Sequence, residues 1–177
     1  MYAMSCHSRV VSVNTPHVMQ PDGTFSLPRL KNIHSMLGSS KIVLDLSCRR
    51  NPDIGSSSPY FVVMNKWQTF TDMVLTPEKF LELSDYCSEF LVHGVDVEGL
   101  RCGVLIDLIA LIREARELLV SKGRGNVSIV YAGGIRDFND VEVVRSEGGG
   151  EVDFTVGSAL DIFGGDMVFD EVVERYG

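Results

Sequence analysis

The residues best suited to chemistry are two glycine-bearing breaks and one carboxylate set in an apolar strand. Val127-Ser-Ile-Val-Tyr-Ala-Gly-Gly-Ile-Arg-Asp137 is an apolar run that breaks at Gly133-Gly134, and Val152-Asp-Phe-Thr-Val-Gly-Ser-Ala-Leu160 repeats the pattern and breaks at Gly157-Ser158. Each run has the length of a strand, and a helix-like segment follows both. Two such strand ends side by side leave the backbone N–H groups of Gly133, Gly134, Gly157 and Ser158 to hold a phosphate. Glycine lets the backbone approach an anion closely and tolerates positive φ, and a following helix N-terminus adds partial positive charge. One Gly-Gly alone is equally well a tight strand-to-helix turn. Two in succession at the end of a strand–helix series favour phosphate.

Asp45 is the carboxylate, inside Lys41-Ile-Val-Leu-Asp-Leu46. Such a group costs several kcal/mol to bury unless it is paired, hydrogen-bonded or at a solvated strand end, and in α/β folds the carboxyl ends of the strands carry the active site. The competing reading is a structural Asp that caps a loop or pairs with Arg49. Asp96 and His93 follow a later strand at the same level. Asp96 either positions a ligand hydroxyl or caps its turn, and His93 reads as a packed histidine with no nucleophile beside it. Trp67, the single tryptophan, lies in a polar loop, where it is a stacking lid over a flat ring or an anchor for the loop. Arg49 and Arg136, just beyond strand ends, are phosphate contacts or ion-paired side chains.

The elements that would position these residues alternate. Val10–Val13, Lys41–Leu46, Glu89–His93 and the two opening runs read as strands. Tyr60–Met64 and the residues to Thr71 read as a hairpin returning over the sheet end. Helices follow from Ser26 to Gly38, from Thr76 as N-cap with Pro77 at the first position, over Leu105–Leu119, around Phe138–Val144, and over 166–176. Five strand–helix alternations predict an α/β fold with a parallel sheet and right-handed crossovers. They leave a (β/α)8 barrel or an open doubly wound sheet, and five strands are too few to close the former.

At 177 residues the chain suits one domain. Its net charge of −8 argues against nucleic acid or an anionic membrane as the main partner, though a local loop can still hold a phosphorylated small molecule. Cys6, Cys48, Cys87 and Cys102 show no CxxC or zinc-type spacing, and free thiols point to a reducing compartment. No apolar run is long enough for a membrane span. Residues 1–9 read as irregular, and 10–177 as the domain.

Ile42-Val-Leu-Asp-Leu-Ser-Cys-Arg49, Asn65-Lys-Trp-Gln68, Phe90-Leu-Val-His-Gly-Val-Asp-Val-Glu-Gly99, Tyr131-Ala-Gly-Gly134 and Val156-Gly-Ser-Ala-Leu-Asp-Ile-Phe-Gly-Gly165 together resemble the eukaryotic form of ProFAR isomerase, the phosphoribosylformimino-aminoimidazole carboxamide ribotide isomerase of histidine biosynthesis. The resemblance runs from about Val10 to the C-terminus. It implies a (β/α)8 barrel that carries out an Amadori rearrangement, aminoaldose to aminoketose, without metal or organic cofactor, on a substrate with two phosphates. By this resemblance Asp45 matches the fifth-strand aspartate, the general acid that protonates the ribose ring oxygen. Gly133, Gly134, Gly157 and Ser158 match the phosphate grip of the seventh and eighth strands, and Trp67 a loop tryptophan that stacks on the imidazole; Asp96 joins the substrate-binding set.

If Asp45 stands on the fifth strand, Val10 begins the fourth. The sequence then resembles a C-terminal portion, a partial barrel of roughly strands four to eight. It has no counterpart of the first-strand aspartate, the family's general base, or of the second phosphate site. Loss of such a group typically costs roughly 10²–10⁴-fold in rate. An incomplete sheet is also expected to expose strand edges and apolar interior side chains and to self-associate, whereas the full enzyme is expected to be a monomer. A non-catalytic phosphate-binding half-barrel is the alternative function. The expected compartment is the cytoplasm, or a plastid if a transit peptide precedes this sequence.

Overall fold

The computed structural model describes residues 10–54, 59–97, 99–100 and 102–177. The N-terminal segment expected to be irregular, with Cys6, lies outside the described residues.

In chain order the elements are β1 (Val11–Asn14), α1 (Thr15–Val18), α2 (Leu27–Leu37), β2 (Ile42–Arg50), β3 (Tyr60–Met64), β4 (Thr69–Val74), α3 (Pro77–Leu83), β5 (Glu89–Gly94), α4 (Ile106–Ser121), β6 (Ser128–Ala132), α5 (Phe138–Glu147), β7 (Asp153–Thr155) and α6 (Phe169–Tyr176). Local chemistry sets several of the boundaries. Thr76 caps α3 by accepting the Lys79 N–H at 3.2 Å, with Pro77 supplying the preset φ of a first helical turn. Gly38 ends α2 at φ +77°. In α4, Leu108, Ile109, Ile112, Ala115 and Leu119 form a buried stripe at helical spacing. The short helix α1 follows β1 directly, with Pro16 in its first turn.

Five strands, β1, β2, β5, β6 and β7, run parallel, and each pairs with the one before it. A doubly wound sheet reverses its strand order at a switch point; this order has no reversal, which removes the doubly wound alternative. With right-handed crossovers the connecting helices then fall on one face. The hairpin β3–β4 joins the same sheet instead of lying over its end, so the sheet has seven strands among the described residues. β1 pairs with β2 as far as Asn14↔Asp45, and β3 takes over antiparallel from Cys48↔Val62 to Arg50↔Tyr60.

Alternation along the strands gives the sheet two unlike faces. Toward the helices point Ile42, Leu44, Leu46, Cys48, Phe90, Val92, Ile129 and Tyr131, all buried. Phe80 of α3 meets Phe90 edge to face at 5.0 Å. The opposite face carries rows fixed by register: Asn14, Asp45, Leu91, Val130 and Asp153 in one, and Ser47, His93, Ala132 and Thr155 in the next toward the carboxyl ends. Along the five parallel strands this bare face is mainly polar, interrupted by Val43, Leu91 and Val130, and the hairpin adds partly exposed Phe61 and Phe70. Among the described residues the large exposed apolar groups include Trp67 and, toward the C-terminus, Ile162, Phe163, Val168, Phe169 and Val173.

Candidate functional site

Asp45 sits midway along β2 on the bare face, flanked by Asn14 and Leu91. Burial pushes its carboxyl above the ordinary carboxylate range, while the charge of His93 pulls in the other direction. Its Oδ1 is buried and has no hydrogen-bond partner. Buried polar atoms are nearly always satisfied, so an orphan on a raised carboxyl favours a functional acid over a structural one. The pairing with Arg49 does not form. Arg49 Nε lies 3.0 Å from Asp96 Oδ1, and the Arg50 N–H donates to Asp96 Oδ2 at 3.3 Å. Asp96 thus ties the carboxyl ends of β2 and β5 together, its carboxylate already engaged.

Beside this row, between the ends of β6 and β7, opens a cleft of about 180 Å³ lined by His93, Gly133, Gly134, Thr155, Gly157 and Ser158 among others. The two glycine loops therefore meet as the sequence suggested. Their glycines serve different needs. Gly133 and Gly134 have φ of +111° and +76°, and a Cβ on Gly134 would stand 2.2 Å from the Gly103 carbonyl oxygen. Gly157 has no positive φ, and a Cβ there would meet nothing within 4 Å. Positive φ is required in the first loop only; in the second, glycine keeps space open.

The helix-terminus contribution also needs correction. The first turn of α5 is capped by Asp137, whose Oδ1 accepts the Asn139 and Asp140 N–H groups at 2.9 and 3.1 Å, so an aspartate already occupies that positive end. Behind the second loop, α6 begins only at Phe169. Arg136 is spent on Asp140, with Nε to Oδ2 at 2.8 Å and a second bond at 3.0 Å. Among the described residues lining the cleft, the polar side chains are those of His93, Thr155 and Ser158.

Trp67 stands at the tip of the β3–β4 hairpin. Asn65, Lys66 and Trp67 adopt φ of +54°, +55° and +69° in succession, a left-handed stretch that costs non-glycine residues on the order of 1 kcal/mol each. The strained turn brings the indole, 40 % exposed, edge-on to the His93 ring at 5.6 Å and 82°. His93 is the residue that sequence reasoning undervalued. It lines the cleft, feels Asp45 and touches Trp67. The signal available in the sequence was the alternation Glu89, Leu91, His93 along β5, which places His93 on the face of Asp45.

Cys48 and Cys87 are free and buried, and burial pushes both thiols well up, which suits small hydrophobes rather than nucleophiles. Among the described residues no cluster of His, Cys, Asp or Glu is placed to hold a metal ion. No described helix is long and apolar enough to cross a membrane.

A parallel sheet wound in one direction, with its helices on one face and a glycine-lined cleft at the ends of β6 and β7, defines an α/β protein. The chain belongs to the histidine biosynthesis protein family, whose sequence profile matches residues 2–167. It is 47 % identical over 154 residues to a protein of Eremothecium gossypii and 41 % identical over 154 residues to one of Saccharomyces cerevisiae, in each case 87 % of this chain and 56 % of the relative. Both are named 1-(5-phosphoribosyl)-5-((5-phosphoribosylamino)methylideneamino) imidazole-4-carboxamide isomerase. A Medicago truncatula relative of the same name, designated chloroplastic, is 39 % identical over 152 residues, 86 % of this chain and 44 % of its own length. The chain therefore spans about half the length of the curated relatives it matches.

Proposed function

We propose that this chain is the C-terminal portion of a ProFAR isomerase, corresponding to strands four to eight of a (β/α)8 barrel, with the hairpin as the loop after the fifth. The observation that carries this reading is the juxtaposition of an unpartnered, half-buried Asp45 with a glycine-lined cleft under an exposed indole. In the proposed reaction one substrate phosphate lies against Gly133, Gly134, Gly157 and Ser158, and the imidazole ring stacks on Trp67. Asp45, whose carboxyl burial shifts toward its neutral form, donates its proton to the ribose ring oxygen as the C1′–O bond opens. A base then removes the C2′ proton, and the resulting enol tautomerises to the aminoketose. That base, on the family pattern a first-strand aspartate, has no counterpart in this sequence. Asp96, held by Arg49, acts on the substrate only through the loops that it braces. The names of the relatives support the same reaction, and the chloroplastic Medicago protein supports a plastid as the alternative to the cytoplasm.

The test uses the purified chain, alone and mixed with the remaining N-terminal segment of the Eremothecium gossypii relative. The chain alone is expected to bind ProFAR without turning it over, to self-associate through its open strand edges in sedimentation, and to yield product only in the mixture. Turnover in the mixture that survives Asp45→Asn would remove Asp45 from the role of general acid.

A further inference from the structure

Three parts of the site, the glycine-lined cleft, the acid and the indole, are held by separate elements, and His93 borders all of them. From the last turn of β5 its side chain lines the cleft together with Gly133, Gly134, Gly157 and Ser158. Its register partner is Ser47, two residues beyond Asp45 on the adjacent strand, close enough for its charge to act on the Asp45 carboxyl. Its ring meets the Trp67 indole edge to face. Arg136 is engaged by Asp140 and the α5 terminus is capped by Asp137; among the described residues that line the cleft, His93 is the one with an ionisable side chain.

We infer that His93 is a positioning residue that reports occupancy of the cleft to Trp67 and Asp45, an anion seated there drawing the imidazole and the indole following its ring. This rests on the anion-binding reading of the cleft given above. Trp67 follows because a ring held edge-on at 5.6 Å loses that packing if the imidazole turns. Asp45 follows by charge. Burial raises its carboxyl and His93 opposes that effect, so an imidazole committed to an anion leaves burial unopposed and shifts Asp45 further toward its neutral form. The charged groups on the same face are Asp45 and Arg49 from β2, Asp153 from β7 and Glu89 at the start of β5. Asp96 follows β5, Lys66 neighbours Trp67 in the hairpin, and β6 presents only Ser128, Val130 and Ala132. The device would match acid chemistry to the arrival of the phosphate end of a ligand.

Because Trp67 is the sole tryptophan, its emission isolates this event. Inorganic phosphate is titrated into the chain and followed by calorimetry and by tryptophan fluorescence. The wild-type chain is expected to bind with a saturable change in emission that tracks the heat. His93→Phe keeps a ring against the indole but has no donor, and is expected to bind roughly 3- to 10-fold more weakly, the worth of one hydrogen bond. His93→Gln keeps a donor but not the ring. Both variants are expected to leave the emission flat while phosphate binds. An emission change that persists in both variants, or wild-type binding heat with no emission change, would overturn the inference and leave the cleft reading standing. Absence of any heat with the wild-type chain would overturn both.

Discussion

The two faces of the sheet divide the work of the molecule. On the helix side, Leu44, Phe90, Ile129 and Tyr131 are buried to 1 % exposure or less, with aromatic and aliphatic groups interlocked against α3 and α4. On the other side the same strands present Asn14, Asp45, Ser47, His93 and Thr155, and one carboxyl oxygen has no partner at all. Adjacent positions of a single strand, Leu44 and Asp45, thus belong to unlike environments. Stability is concentrated where water is excluded by packing, and unsatisfied chemistry is gathered where the fold leaves room for a ligand.

Substitutions on the two faces should therefore move different observables. The largest stability effect is expected from Phe90→Ala on the packed face, which opens a cavity beside Phe80 and should cost about 3–5 kcal/mol in denaturant unfolding; a loss below about 1 kcal/mol would mean that this layer is not the core. Gly157→Asp, on the bare side, meets open space at ordinary φ and should change stability by no more than about 0.5 kcal/mol. It should nevertheless abolish phosphate binding in calorimetry, because a carboxylate then occupies the anion's place. The smallest effect should have the opposite sign. The folded state disfavours the charged form of Asp45, so its carboxylate costs stability as pH rises from its unfolded pKa through its raised folded one. Asp45→Asn should then raise the midpoint of thermal unfolding at neutral pH, with the gain shrinking in acid, where both side chains are neutral. Melting curves at the two pH values check this, and destabilisation at neutral pH would show that the carboxylate holds the fold together.

Much of this arrangement was legible in the sequence because it is encoded locally. Continuous apolar runs marked the buried strands, Thr76-Pro77 announced α3, and the glycine pairs fell where strands end. What escaped depends on register. Arg49 had Asp45 four residues away as an apparent partner, yet β2–β5 pairing sets Asp96 beside it instead. The same pairing raises His93 from a packed histidine to a neighbour of Asp45, and no local pattern specifies which residues of two strands forty or more positions apart will lie side by side. The polar bare face was likewise implicit in alternation, but it was obscured because Val43, Leu91 and Val130 interrupt the polar positions. The requirement for glycine at Gly134 was foreseen, whereas its cause, the Gly103 carbonyl pressing against it, belongs to tertiary packing.

The strand order also bears on how the chain assembles. Each parallel strand lies against the parallel strand that precedes it in the chain, so a new pairing closes only the segment between those two strands. Loop closure of that kind costs little entropy compared with bridging the ends of a chain. The growing sheet can therefore lengthen at one edge as translation proceeds, and the β6–β7 cleft, built from the last two strands, is the final part of the site to form.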